Sequence, residues 1–205
     1  MRDWSPIFIS MKTASVSILI TFFVGLIVAW GIVKLKNDSI KIVLDGIFTL
    51  PIVLPPTVVG FFLLYIFGVR GPIGKFFLDF FTVKIAFSWY ATVIAAVVMS
   101  FPLMYRSARG AFEQVDSNLL DAGRTLGMSE WKIFWKVLFA NALPGIISGG
   151  ILAYARGLGE FGATAMLAGN MANSVDYVIV IVIISFIAIF IMDFVSIRKE
   201  RQWKN

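Results

Sequence analysis

Residues 14–33 (ASVSILITFFVGLIVAWGIV) run for twenty positions without a charge. About 20 apolar residues suffice for a helix to cross a hydrocarbon core of ~30 Å. In lipid only helices and closed barrels satisfy every backbone amide, so this run restricts the fold sharply. Four more runs of similar character follow at 46–69, 85–105, 137–155 and 177–197. The second is interrupted by Pro51, Pro55 and Pro56, the third carries Pro102, and the fourth carries Pro144 and the cluster Ser148-Gly149-Gly150. The fifth holds Asp193 near its end, where an interfacial charge can snorkel to water. The pattern predicts an all-α polytopic membrane protein with five transmembrane helices in a single domain over 1–205, its termini on opposite sides.

Composition agrees. Charged residues are 15% of the chain and mean hydropathy is +0.88, whereas a soluble domain is about 25% charged. Cysteine and histidine are both absent, which excludes disulfides and thiol catalysis and removes the two commonest zinc ligands. No metal site and no catalytic constellation is expected; an intramembrane enzyme would need nucleophile or acid pairs that the spans lack. The formal charge of +6 reports orientation before it reports any nucleic-acid partner. With the N-terminus outside, the inner segments hold 12 Lys and Arg and the outer segments 5. The first apolar run lacks a small-residue cleavage site and reads as a retained span. Residues 70–84 (RGPIGKFFLDFFTVK) are amphipathic and aromatic, as in an interfacial helix.

One stretch breaks the apolar pattern. LLDAGRTLGMSEWKIF, residues 119–134, carries Asp121, Arg124, Glu130 and Lys132, while its apolar residues keep helical spacing. Gly127 fits the position just after a helix, where a left-handed backbone is needed. Ser129 can cap a following helix, with Glu130 in its first turn. The segment predicts a polar stub on a tight turn, facing the cytoplasm within a loop at about 106–136. The small residues Ala122 and Gly123 would let a partner's surface come close.

GVRGPIGK, residues 68–75, is a decoy for a phosphate loop. Its glycines are one residue too far apart, and Phe76 stands where a hydroxyl must reach magnesium. ATP hydrolysis is not expected of this chain.

Asp121-Ala122-Gly123 with Gly127 resembles the EAA loop of ABC importer permeases, which forms the helix that docks on the ATPase. Asp121 replaces that family's usual glutamate, Gly123 its second alanine, and Ala140 an earlier proline; Leu143-Pro144-Gly145 matches. Together with LPIVLPPTVVGFFLLYIFGVRGPIGK (residues 50–75) and ARGLGEFGATAMLAGN (residues 155–170), the chain resembles molybdate ABC transporter permeases, with a type I importer fold. Sulfate, thiosulfate and tungstate permeases are the nearest alternative, and a passive anion channel would need no stub. The resemblance implies a homodimer in a prokaryotic inner membrane, two ATPase copies that bind the ATP and magnesium, and an external oxyanion-binding protein. It implies no cofactor on this chain itself. Asp121, Ala122, Gly123, Leu126 and Gly127 are the coupling candidates. Pro55, Pro56, Thr57, Gly159, Glu160 and Gly162 are the pathway or gate candidates. The prolines suggest a kinked pore helix. Arg156 and Glu160, four apart, are spaced to pair, and Glu160 would repel a dianion. Met166 and Met171 read as core filling. Where relatives carry a longer external segment, only MANSVD separates Asn170 from Tyr177. The last span is then uninterrupted for 16 residues, about 24 Å, short of the hydrocarbon thickness.

Overall fold

The computed structural model describes residues 5–168, with side chains for 8–159, together with Ile183 and Ile187. Every regular element in that range is helical: α1 (Ser5–Lys34), α2 (Asp38–Val53), α3 (Pro56–Phe67), α4 (Pro72–Phe81), α5 (Trp89–Glu113), α6 (Ser117–Thr125), α7 (Glu130–Ile133) and α8 (Phe139–Ala168). A π-helical turn, Phe134–Leu138, joins α7 to α8 without a break.

Among the described residues, three segments are long and apolar enough to cross a membrane: Phe8–Lys34, Trp89–Glu113 and Glu130–Gly159. They contain most of the first, third and fourth expected spans. The second expected span, 46–69, is not one kinked helix. It falls across α2 and α3, which meet at 111°. Leu54 is extended (φ −71°, ψ 141°) because a residue before proline is pushed out of the helical region. Pro55 (φ −54°, ψ 139°) continues the extended corner, and Pro56 opens α3 at a position where its missing N–H does no harm. Pro51 sits inside α2 and leaves it helical. Apart from Ile183 and Ile187, the fifth expected span, 177–197, lies outside the described residues, as do Met171 and Asp193. The expected interfacial helix is α4, with Phe76, Phe77, Phe80 and Phe81 exposed.

The core is a bundle of α1, α5 and α8. Thr13, Thr21 and Gly25 of α1 meet Trp89, Ser100 and Met104 of α5 in ascending order, so these two helices run parallel. Residues 35–88 must therefore return the length of the bundle. α8 runs antiparallel to both. Its Gly145 faces Ala111, its Gly149 faces Ser107, and its Gly157 faces Ser17. With the buried Ala153, these positions recur every four residues and form one face of α8. A Cβ at Gly145 would stand 2.6 Å from that of Ala111, and one at Gly157 would stand 3.2 Å from the Ser17 hydroxyl. Lipid is as apolar as leucine, so helices in it associate through such close backbone contact. Larger side chains fill the bundle towards the α6 end: Leu26, Ile32, Met104, Phe112, Phe134 and Leu138. The few buried polar groups are paired. Thr21 and Ser100 hydroxyls lie 3.1 Å apart, and the Trp89 indole donates to Thr13 at 2.9 Å.

Gly145→Val should lower the stability of the purified chain in detergent by about 1–3 kcal/mol, from overpacking against Ala111. Gly31→Ala, where a new methyl meets nothing within 4 Å, should be neutral or stabilising by about 0.5–1 kcal/mol. Equal losses in thermal unfolding at both positions would refute the seam.

Candidate functional site

The polar stub forms as its sequence spacing predicts, with each end fixed by a specific device. Asp116 caps α6, its carboxylate accepting the Asn118 N–H at 2.9 Å. At the other end the Met128 N–H donates to the Gly123 carbonyl at 3.1 Å, and the Gly127 N–H to Arg124 at 2.9 Å. That pair of bonds is a Schellman cap, and Gly127 holds the left-handed conformation it requires, at φ +71°. Most other residues there would carry about 1–2 kcal/mol of backbone strain, asparagine less. The Ser129 hydroxyl then accepts the Lys132 N–H and starts α7.

Arg124 closes the hairpin. Its guanidinium donates to Asp121 at 2.6 Å along α6 and to Glu130 at 2.8 Å across the turn. These carboxylates, Glu130 first, hold the Arg124 guanidinium above its usual range. The sequence displays all three charges, but their convergence on Arg124 depends on the turn bringing Glu130 back over α6.

The coupling candidates divide by direction. Asp121, Ala122, Leu126 and Gly127 are exposed, Leu126 by 80%. Gly123 is buried instead. A Cβ there would lie 3.2 Å from Ile133 Cγ1, so its smallness lets α6 sit on α7. The expectation that Gly123 opens the stub to an external surface is therefore corrected: packing within the chain already occupies that side. Leu119 and Trp131 are also exposed apolar residues of the hairpin.

Of the pathway candidates, Pro55, Pro56 and Thr57 are exposed at the corner between α2 and α3. Gly159 is exposed on α8. Glu160 and Gly162 continue the α8 backbone and do not follow its end, because the helix runs on to Ala168. The side chain of Glu160 lies outside the described residues, and so does its expected pairing with Arg156.

A second polar constellation was missed by the sequence reading. α2 buries none of its residues. It holds to α5 through Phe48, whose ring lies 5.7 Å from Phe101 and 5.4 Å from Tyr105, and through a charged clasp. Lys41 pairs with Glu113 at 3.0 Å, Arg109 pairs with Asp45, and Arg109 also meets Glu113 at 2.9 Å. The Tyr105 hydroxyl donates to Asp45. Lys41 and Asp45 are four apart, as are Arg109 and Glu113, each pair basic then acidic. Antiparallel juxtaposition matches every charge to its opposite. That repeated spacing was the available signal.

Long apolar helices packed through small residues, with a capped polar hairpin at one end, define a helical membrane protein. Residues 21–201 match the binding-protein-dependent transport system inner membrane component family, and the chain belongs to it. It is 45% identical over 169 residues to the molybdenum transport system permease protein ModB of Escherichia coli (strain K12), covering 82% of this chain and 73% of that one. It is 40% identical over 169 residues to the putative molybdenum transport system permease protein YvgM of Bacillus subtilis (strain 168), covering 82% and 74%. Its fold resembles an inward-facing conformation of the MetNI methionine ABC transporter, with a TM-score of 0.69 at 18% identity, covering 92% of this chain and 91% of that one.

Asp45→Asn and Arg109→Gln should each loosen α2, and the double variant should lose less than their sum. A double-mutant cycle in thermal unfolding should return a coupling of about 0.5–3 kcal/mol. Strictly additive losses would show that the clasp contributes nothing as a pair.

Proposed function

We propose that this chain is the membrane-spanning permease of an ABC importer for molybdate. The identity of 45% across 169 residues to a molybdenum transport permease carries the reading. Two copies enclose the pathway along their interface, the N-terminus lies outside, and the α6–α7 stub faces the cytoplasm. An external binding protein delivers the oxyanion. Two copies of an ATPase supply hydrolysis, and ATP and magnesium bind there. Asp121, Ala122, Leu126 and Gly127 form the contact with the ATPase, while Gly123 sets the stub's seat on α7. Pro55, Pro56 and Thr57 at the helix corner, with Gly159, Glu160 and Gly162 on α8, are the gate candidates.

The stub suits this role because it is stiff. Its two ends are capped and Arg124 ties its helices together, so a displacement applied to α6 is passed on instead of being absorbed. ATP enters as a difference in the ATPase's affinity for two arrangements of the dimer.

Proteoliposomes holding this chain, the ATPase and the binding protein should accumulate labelled molybdate only with ATP. Tungstate should compete and sulfate should not. Competition by sulfate at equal concentration would overturn the assigned substrate. In the same assay Gly127→Val should sustain hydrolysis while losing most uptake, because the stub loses its cap, and Gly127→Asn should retain more. Unchanged uptake in the valine variant would remove Gly127 from the coupling contact.

A further inference from the structure

An open cleft of about 760 Å³ lies between α5, α6 and α8 at the stub end of the bundle. Its volume falls within the ~300–1,000 Å³ of small-molecule sites. Arg106, Ser107, Asn141 and Ser148 line it, all on segments otherwise apolar enough to cross a membrane. Such groups cannot face hydrocarbon unpaired; they belong to water-filled or protein-lined space.

The charges in this region are divided unequally. Arg109 is neutralised by Asp45 and Glu113. Arg106, one turn earlier, makes no ion pair among the described residues, and its side chain is exposed in the cleft. Asn141 spends one amide hydrogen on the Val137 carbonyl at 2.7 Å and keeps the other. Ser107 and Ser148 add rotatable hydroxyls. Asp116, the one carboxylate among the described lining residues, already accepts the Asn118 N–H that starts α6. Gly110, four residues after Arg106, keeps the same face clear: a Cβ there meets nothing within 4 Å.

One guanidinium fork with neutral hydroxyl and amide donors matches a tetrahedral oxyanion. The geometry points to this cleft as a weak, transient site for such a dianion, with Arg106 supplying the charge and Ser107, Asn141 and Ser148 the hydrogen bonds. This rests on the oxyanion-importer reading and adds a station to it, at the stub end of the pathway. A weak site suits a station, because the ion must leave as readily as it enters. A phospholipid headgroup offers the same oxygen chemistry, so the test separates the two sources.

The chain has no cysteine, so Gln114→Cys at the rim of the cleft places a single reporter thiol in it. The experiment uses the complex with its ATPase in maltoside detergent, and reads maleimide labelling of this chain by mass. Millimolar molybdate or tungstate should slow labelling. Arg106→Gln should weaken that protection about tenfold to a hundredfold, Arg106→Lys should restore part of it, and Gly110→Leu should weaken it by crowding the face beside Arg106. Protection unchanged in Arg106→Gln, or absent with Arg106 present, overturns the site. Protection by added phosphatidylglycerol but not by molybdate also overturns it, in favour of a headgroup site. Uptake on the same preparation is scored separately. Lost uptake counts against the importer reading, while the labelling result decides the cleft.

Discussion

The close seating of α8 against α5 and α1 governs the rest of the molecule. Gly145, Gly149, Ala153 and Gly157 bring three backbones within van der Waals reach. Dispersion supplies the cohesion that the hydrophobic effect cannot provide inside a bilayer. Other features inherit their position from this seam. α7 and the π turn continue directly into α8, so the stub stands where α8 is seated. The cleft around Arg106 opens beside the same glycines, and Gly145 belongs to both. A single steric requirement, that nothing larger than a methyl group project at these positions, thus sets the bundle, the stub's direction and the mouth of the cleft.

α2 is held on a different principle. It fully buries no side chain; Leu44 and Phe48 pack on the core, Phe48 against Phe101 and Tyr105, beside a charged clasp that pairs Lys41 and Asp45 with Glu113 and Arg109. Charges hold an element in register without sealing it in place, because they can be rehydrated when the surfaces part. The 111° corner at Leu54–Pro55 sits immediately after this helix, where proline has already removed the continuity of the backbone ladder. The chain therefore combines a tightly packed bundle with an arm held by a charged clasp and a few partly buried apolar contacts, and followed by a sharp corner.

The long uncharged runs made the helical membrane architecture legible, and the fold of the stub was legible from Gly127 and Ser129, whose roles depend only on local backbone geometry. Non-local features were not readable in the same way. Pro55 and Pro56 announce an interruption, but whether it kinks one helix or turns the chain through a corner depends on what each half packs against. Gly123 looks like an opening for a partner until Ile133 is seen to fill it. The α8 seam was visible only as a cluster at Ser148-Gly149-Gly150, because the eye follows neighbours whereas the helix presents every fourth residue. The clasp needed residues some sixty positions apart, and only its doubled four-residue spacing hinted at it.

The junction between stub and bundle follows from these contacts. Phe134 lies in the π turn, buried, with Trp30 of α1 at 4.5 Å and Phe112 of α5 at 6.1 Å. The turn is anchored to both partner helices just where the stub meets α8, so a force on α6 reaches the bundle at that aromatic contact. A flexible linker there would dissipate the force. The buried aromatic wedge at the end of the close-packed seam ties the stub to α8 and α5, the two helices that line the Arg106 cleft. In the importer reading, the residues that receive the ATPase stroke and those that meet the departing ion are therefore joined by one continuous helix and one packed interface.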